Sequence, residues 1–199
     1  MCIRDRLLES AQTLEQITEQ LDLFIEQTRD ELFLKYTVAD TPKLAQSYLE
    51  RFTKEELVTQ NGELYELSPA QRPLIDLISS ISLDIVRRRI AYLLVIQQAP
   101  MTLDDAAKCF FSLSQGASSQ SSFSHSNWLD QSLFKNYARQ LINSTLISLN
   151  DDKQLSLGTE GESIFARLSD MVSTAEFQSL QTVYGAPPSD GKESGSDAP

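Results

Sequence analysis

Residues 73–98, PLIDLISSISLDIVRRRIAYLLVIQQ, are the longest strongly apolar stretch of the chain. Leu74, Leu77, Ile78, Ile81 and Ile85, then Ala91 and Leu94, recur at steps of three and four, with one gap at the arginines. That spacing predicts an α-helix. Ile75, Leu93, Val95 and Ile96 widen the stripe, so the C-terminal half is apolar on nearly every side and is expected to be buried. Pro73 suits a first helical turn, and Pro100 stops the helix just past its end. Such a helix spans roughly 39 Å, about the width of a small domain, so the other elements must pack around it. It is not a membrane span. Asp76, Asp84 and the triplet Arg87-Arg88-Arg89 interrupt it, and no run of about 20 apolar residues remains.

The flanking sequence predicts about six helices and two short hairpins. From Leu7 to Tyr36, Leu14, Ile17, Leu21, Phe24 and Leu32 mark one helical face, with Thr28 as a polar break. Asp40-Thr41-Pro42 is a helix-start signal, followed by Leu44, Tyr48, Phe52 and Leu57. Asn61-Gly62 predicts a tight turn between Val58-Thr59-Gln60 and Glu63-Leu64-Tyr65. After the central helix, Thr102 and Asp105 resemble a capping box for a short helix bearing Leu103, Ala106, Ala107, Phe110 and Phe111. Residues 112–127, SLSQGASSQSSFSHSN, lack periodicity and are expected to form a mobile surface loop. Asp130 can cap a helix carrying Leu133, Phe134, Tyr137, Ala138, Leu141 and Ile142. A second hairpin is expected at 146–157, about the turn Asn150-Asp151-Asp152-Lys153, and a last helix over 159–182. The expected class is mainly α: a helical bundle-like domain over 7–184 with two short β-hairpins.

Tyr48 precedes Leu57-Val58 by the same interval that Tyr137 precedes Leu146-Ile147, and each helix runs into a hairpin. Helix–hairpin units are common, and two occurrences are too few to establish a repeat from sequence. A diverged winged-helix-like duplication is the alternative. Met1–Arg6 (MCIRDR) enters an amphipathic pattern without a cap and is read as a non-native leader resembling translated adapter sequence. Residues 185–199 are a polar Pro/Gly/Ser tail, expected to be disordered.

Composition narrows function. Lys+Arg 17 against Asp+Glu 28 gives a net charge of −11, the wrong sign for a nucleic-acid binder or for adsorption to anionic lipid. Within Tyr137–Ser148 only Arg139 is basic. Cys2 and Cys109 form no disulfide framework and no metal spacing, and Cys109, among apolar residues, reads as a packed side chain. No metal cluster, cofactor loop or paired carboxylates are visible.

The one histidine, His125, and Asp130 have the H-x-x-x-x-D spacing of glycerolipid acyltransferases, in which the His takes a hydroxyl proton and the Asp orients the ring. From average composition about one histidine in twenty has Asp at that offset. The companion aromatic segment ending in Glu-Gly is missing. Its nearest counterpart is Gly158-Thr159-Glu160-Gly161, without the aromatic. The match is therefore read as coincidental, with His125 a loop residue, Asp130 a helix cap and Trp128 an anchor of the loop. Arg87, Arg88 and Arg89 are the binding candidates for an anion or a partner's acidic surface. Successive helical residues point about 100° apart, so the three cannot all converge on one ligand, and pairing with nearby Asp or Glu is the expected role.

Three blocks carry a family resemblance. Arg29–Tyr36 (RDELFLKY), Leu83–Ile96 (LDIVRRRIAYLLVI) and Leu129–Leu157 (LDQSLFKNYARQLINSTLISLNDDKQLSL) resemble, in order, segments of the C-terminal region of the large bacterial membrane glycerol-3-phosphate 1-O-acyltransferases. That family transfers a fatty acyl group from acyl-CoA or acyl-carrier protein to sn-glycerol 3-phosphate, giving lysophosphatidic acid, at the cytoplasmic face of the inner membrane. The resemblance implies a C-terminal accessory region without the catalytic motif. Its expected partner is the N-terminal catalytic domain of the same protein, through which alone it would meet acyl donor and membrane lipid. No catalytic residue carries over, because HSNWLD lies where the family's motif does not belong. The rival expectations are a free-standing winged-helix-like adaptor or regulator that binds protein, and an inert structural bundle.

Overall fold

A computed structural model describes residues 11–29, 31–32, 34–98, 100–118 and 126–185, with side chains left undescribed at 72, 74–82, 118, 126 and 127. The described chain is mainly helical. Seven α-helices frame two three-stranded antiparallel sheets: α1 (Leu14–Thr28), α2 (Thr41–Lys54), α3 (Arg72–Gln98), α4 (Leu103–Ser118), α5 (Gln131–Asn143), α6 (Thr159–Ser169) and α7 (Thr174–Tyr184). The strands are β1 (Gln12–Thr13), β2 (Val58–Asn61), β3 (Leu64–Leu67), β4 (Met101–Thr102), β5 (Ile147–Leu149) and β6 (Gln154–Leu157). Both sheets have the same order, β1-β3-β2 and β4-β6-β5.

That shared order makes the helix–hairpin echo a duplication. Each unit runs strand, helix, helix, hairpin, and the first strand returns to pair with the last, the strand pairing expected of a winged-helix-like unit. The correspondence holds residue by residue at an offset of 89 as far as the first strand of each hairpin. Thr13 and Thr102 each close a first strand and accept a hydrogen bond from the backbone N–H three residues on, at Gln16 and Asp105. Glu56 and Thr145 both take positive φ, at 59° and 64°, just before the wing. Ser68 N–H donates to Leu57 O as Gly158 N–H donates to Leu146 O, so the second hairpin is one residue longer. Its extra length sits in the Asn150–Lys153 turn, closed by a Gln154 N–H bond to Asn150 Oδ1 at 2.8 Å. In the first hairpin Gly62 supplies the left-handed corner, with φ 66°.

The helix α3 serves both units. It follows the first wing and stands in front of β4 as the first helix of the second unit. Its C-terminal half is buried on all sides: Leu83, Val86, Ile90, Ala91, Tyr92, Leu93, Leu94, Val95 and Ile96 all belong to the main core. The N-terminal positions of the expected stripe, Leu74, Leu77, Ile78 and Ile81, lie outside the described side chains. Around Tyr92 an aromatic cluster fills the space between α3, α4 and α5. Its ring meets Phe110 edge-on at 4.6 Å and Phe134 at 5.0 Å. The first unit has a far smaller core of its own, Ile17, Leu49, Val58 and Leu67.

Four boundaries differ from the sequence reading. The first helix starts at Leu14, not Leu7, within the described residues, because Thr13 closes a capping box with Gln16 while Gln12 and Thr13 pair with Tyr65 and Leu64. It ends at Thr28, where the chain turns through Leu32 N–H to Thr28 O and Leu34 N–H to Arg29 O. The Ser-rich segment is helical as far as Ser118, since Ser114 and Ala117 face the core and Ser114 Oγ lies 3.1 Å from the Tyr184 hydroxyl. Finally, the expected helix over 159–182 is two helices. Ser173 and Glu176 form a capping box that restarts the chain, and the buried Met171 and Val172 plug the corner between them.

Candidate functional site

The arginine triplet is the most heavily charged buried feature of the described chain. It lies in the half of α3 that carries the main core, and of the three side chains Arg87 alone keeps partial access to water. Arg88 is 1% exposed, and Arg89 is also buried. Two of the three do converge, on one carboxylate. Arg88 Nη2 donates to Glu31 Oε1, and Arg89 Nη2 donates to Glu31 Oε2 at 2.9 Å. Glu31 comes from the turn after α1, so the contact ties the first unit to the helix at the centre of the second. Arg87 points elsewhere, as the 100° spacing requires, and donates to Glu176 Oε1. The other oxygen of Glu176 accepts from Ser173 N–H at 3.0 Å, so one carboxylate both caps α7 and holds α3.

The cluster continues into aromatic surroundings. The Arg89 guanidinium sits 3.7 Å from the centroid of Tyr137, a cation–π contact in a dry setting. The Tyr137 hydroxyl donates to Gln27 Oε1 at 2.8 Å, a second link between the units. Trp128 Nε1 donates to Asp84 Oδ1 at 2.9 Å and the ring stacks on Phe110, the expected anchoring role. Arg88 Nε and Nη1 and the Tyr92 hydroxyl have no hydrogen-bond partner among the described residues. Burial lowers the Arg88 pKa from its ordinary value and pushes the Tyr92 phenol up to about 12. Every charge here is thus set by burial and pairing. Paired in this way, Arg88 and Arg89 clamp the first unit to α3.

The remaining candidates resolve simply. His125 lies outside the described residues. Asp130 caps α5, its carboxylate accepting from Ser132 N–H at 2.8 Å, and hydrogen bonds from Ser132 hold its pKa below the usual value. Gly161 is a packing residue. A side chain there would collide with the Leu146 carbonyl oxygen, so the β6–α6 junction is closed by backbone contact. Cys109 is half-buried, and burial raises its thiol pKa, which disfavours the thiolate a nucleophile needs. A groove of about 220 Å³ between α1 and the end of α6 is lined by Gln16, Glu19, Gln20, Leu23, Arg167, Asp170 and Met171, with no histidine, cysteine or hydroxyl. Among the described residues no group of three or more metal-ligating side chains occurs, and no helix is long and apolar enough to cross a membrane.

Sequence reasoning found the arginines and anticipated acidic partners, but it missed Glu31 and Glu176 by name. Glu176 was findable, since Ser173-Thr174-Ala175-Glu176 is a capping-box pattern. Glu31 was not, because no local signal links it to residues 57 and 58 positions away. No family model matches the chain, nor does any curated protein or solved structure.

Proposed function

We propose that the chain is the C-terminal accessory region of a glycerol-3-phosphate 1-O-acyltransferase, packing against that enzyme's catalytic domain and carrying no catalytic motif of its own. The observation that supports this is where the three resembling blocks meet. Glu31 belongs to Arg29–Tyr36, Arg88 and Arg89 to Leu83–Ile96, and Tyr137 to Leu129–Leu157. The four side chains form one buried cluster. Segments that resemble one family in the same order are here the segments that hold the two units together. In this reading acyl-CoA or acyl-carrier protein, glycerol 3-phosphate and membrane lipid are met by the catalytic domain, at the cytoplasmic face of the bacterial inner membrane.

The test is to sequence the source locus in frame upstream of the Leu7 codon. A continuing frame that encodes a genuine H-x-x-x-x-D block with its Glu-Gly partner is the expected result. A ribosome-binding site and start codon directly before Met1 would overturn it. The isolated chain is expected to transfer no acyl group; activity abolished by His125→Ala would refute the coincidental reading of that residue.

The duplicated winged-helix topology favours a second reading, a protein-binding adaptor or regulator. Both units present a wing, and the net charge of −11 opposes a DNA-binding version. Sequence-specific retention of duplex DNA at low salt would revive that version.

A further inference from the structure

The duplication exposes a difference between the two units. On α5, Phe134, Tyr137, Ala138 and Leu141 form one stripe, and all four are buried. The helix α3 covers the two aromatic members: the Tyr92 ring lies 5.0 Å from Phe134 and 5.8 Å from Tyr137, with Arg89 over Tyr137. The equivalent stripe on α2, 89 residues earlier, is Ala45, Tyr48, Leu49 and Phe52. It holds the same four residue types in a different order. Ala45 and Leu49 are buried, yet Tyr48 is 42% exposed and Phe52 38%. Their rings stack on one another, centroids 6.1 Å apart, and Tyr36 lies beside Tyr48.

This pair is not part of an ordinary solvated face. At 100° per residue Tyr48 and Phe52 fall in the same sector as the buried Thr41 and Ala45, while Lys43, Glu50 and Lys54 lie on the opposite side. The pair extends a core stripe that no helix among the described residues covers as α3 covers Phe134 and Tyr137. What the second unit has and the first lacks, among the described residues, is a helix in front of its first strand: α3 ends at Gln98 and β4 begins at Met101. The first unit's four-residue core is the counterpart of that missing layer.

We propose that Tyr48 and Phe52 seat an apolar-faced helix supplied by the polypeptide that precedes β1, packed on α2 as α3 packs on α5. The inference rests on the reading above only in requiring that the protein continue upstream. The experiment compares the 199-residue chain with the longer protein expressed from the same frame. Tyrosine nitration by tetranitromethane is mapped by peptide mass. In the shorter chain Tyr48 should react readily, while Tyr92 and Tyr137 stay protected. In the longer protein Tyr48 should slow by an order of magnitude. Phe52→Ala should lower the melting temperature of the longer protein only.

Equal Tyr48 reactivity in both proteins overturns the proposal, and so does an in-frame stop just upstream of Met1. Protection that appears in the shorter chain with rising concentration, together with a sedimenting dimer, also overturns it by assigning the face to a second copy. The acyltransferase reading fails separately. An upstream frame without the H-x-x-x-x-D block removes that reading and leaves the helix seat standing if Tyr48 is still protected.

Discussion

Replacing Glu31 by Gln removes one negative charge from beneath two guanidinium groups and leaves the shape of the site almost unchanged. Arg88 and Arg89 have side-chain exposures of 1% and 5%, and Glu31 itself 18%. Neither arginine can therefore swing into water without opening the core around Tyr92. Removing one partner of a buried ion pair costs about 3–5 kcal/mol, because the remaining charge stays desolvated and uncompensated. Here one carboxylate serves two cations, which places Glu31→Gln at the upper end. Stability of a domain this size is about 5–15 kcal/mol, so a parent of average stability keeps about 5 kcal/mol and stays folded, whereas a parent at the low end would be about half unfolded. At roughly 2–4 °C per kcal/mol, the melting temperature should drop by about 6–20 °C. Urea unfolding followed by far-ultraviolet circular dichroism measures it, with Arg51→Gln as the control. That exposed helical pair with Glu55 should leave the midpoint unmoved. A double-mutant cycle with Arg89→Met should recover part of the loss, since the second substitution removes one stranded charge. A Glu31→Gln loss of under about 1 kcal/mol would refute the view that this contact clamps the units.

Further outcomes follow from individual contacts. Leu94→Asp places an unpaired carboxylate among Val95, Ile90 and their neighbours and should abolish cooperative unfolding; an unchanged melting curve would show that α3 is not the core. Gly161→Ala should destabilise measurably, since the Leu146 carbonyl must shift, whereas Gly116→Ala, with open space around it, should be neutral or stabilising. Asp130→Ala removes the α5 cap and should cost about 1 kcal/mol, read from the urea midpoint, with Asp130→Ser largely restoring it. Burial raises the Tyr92 and Tyr184 phenols to about 12, above the unfolded value near 10. The folded state therefore holds these protons longer than the unfolded one. Their contribution is complete below about pH 10 and is lost as the pH rises towards 12, so phenolate absorbance should develop together with loss of ellipticity. Smooth titration of all six tyrosines near 10 in a folded protein would contradict it.

What could be read from the sequence was local. The α3 stripe, the Asp130 cap and the Asn61-Gly62 corner each depend on neighbours within a few residues, where period and turn chemistry speak directly. The Ser-rich helix end was lost because Ser114 looks polar in sequence but spends its hydroxyl on Tyr184, 70 residues away. The break before α7 was lost to periodicity, which runs on through Met171 and Val172 without registering that Ser173 and Glu176 restart the chain. Strands of two residues, such as Gln12–Thr13 and Met101–Thr102, carry no pattern of their own. They exist because a hairpin elsewhere offers them an edge. The site had the same limit. Three adjacent arginines announce themselves, but their partners are set by the way two units close on one helix.

Because α3 is shared, the two wings are not modules on a tether. In most tandem proteins the second contact with a bivalent ligand is governed by an effective concentration that a flexible linker sets and dilutes. Here the connecting element is itself a structural member, locked to one unit through Glu31 and to the other through Tyr92, and the reach between wings is fixed when the chain folds. A ligand spanning both would find its second contact already in place and lose no linker entropy in making it. A ligand of the wrong span could not be accommodated by stretching. The shared rod thus acts as a gauge, and selects by length before any side chain is read.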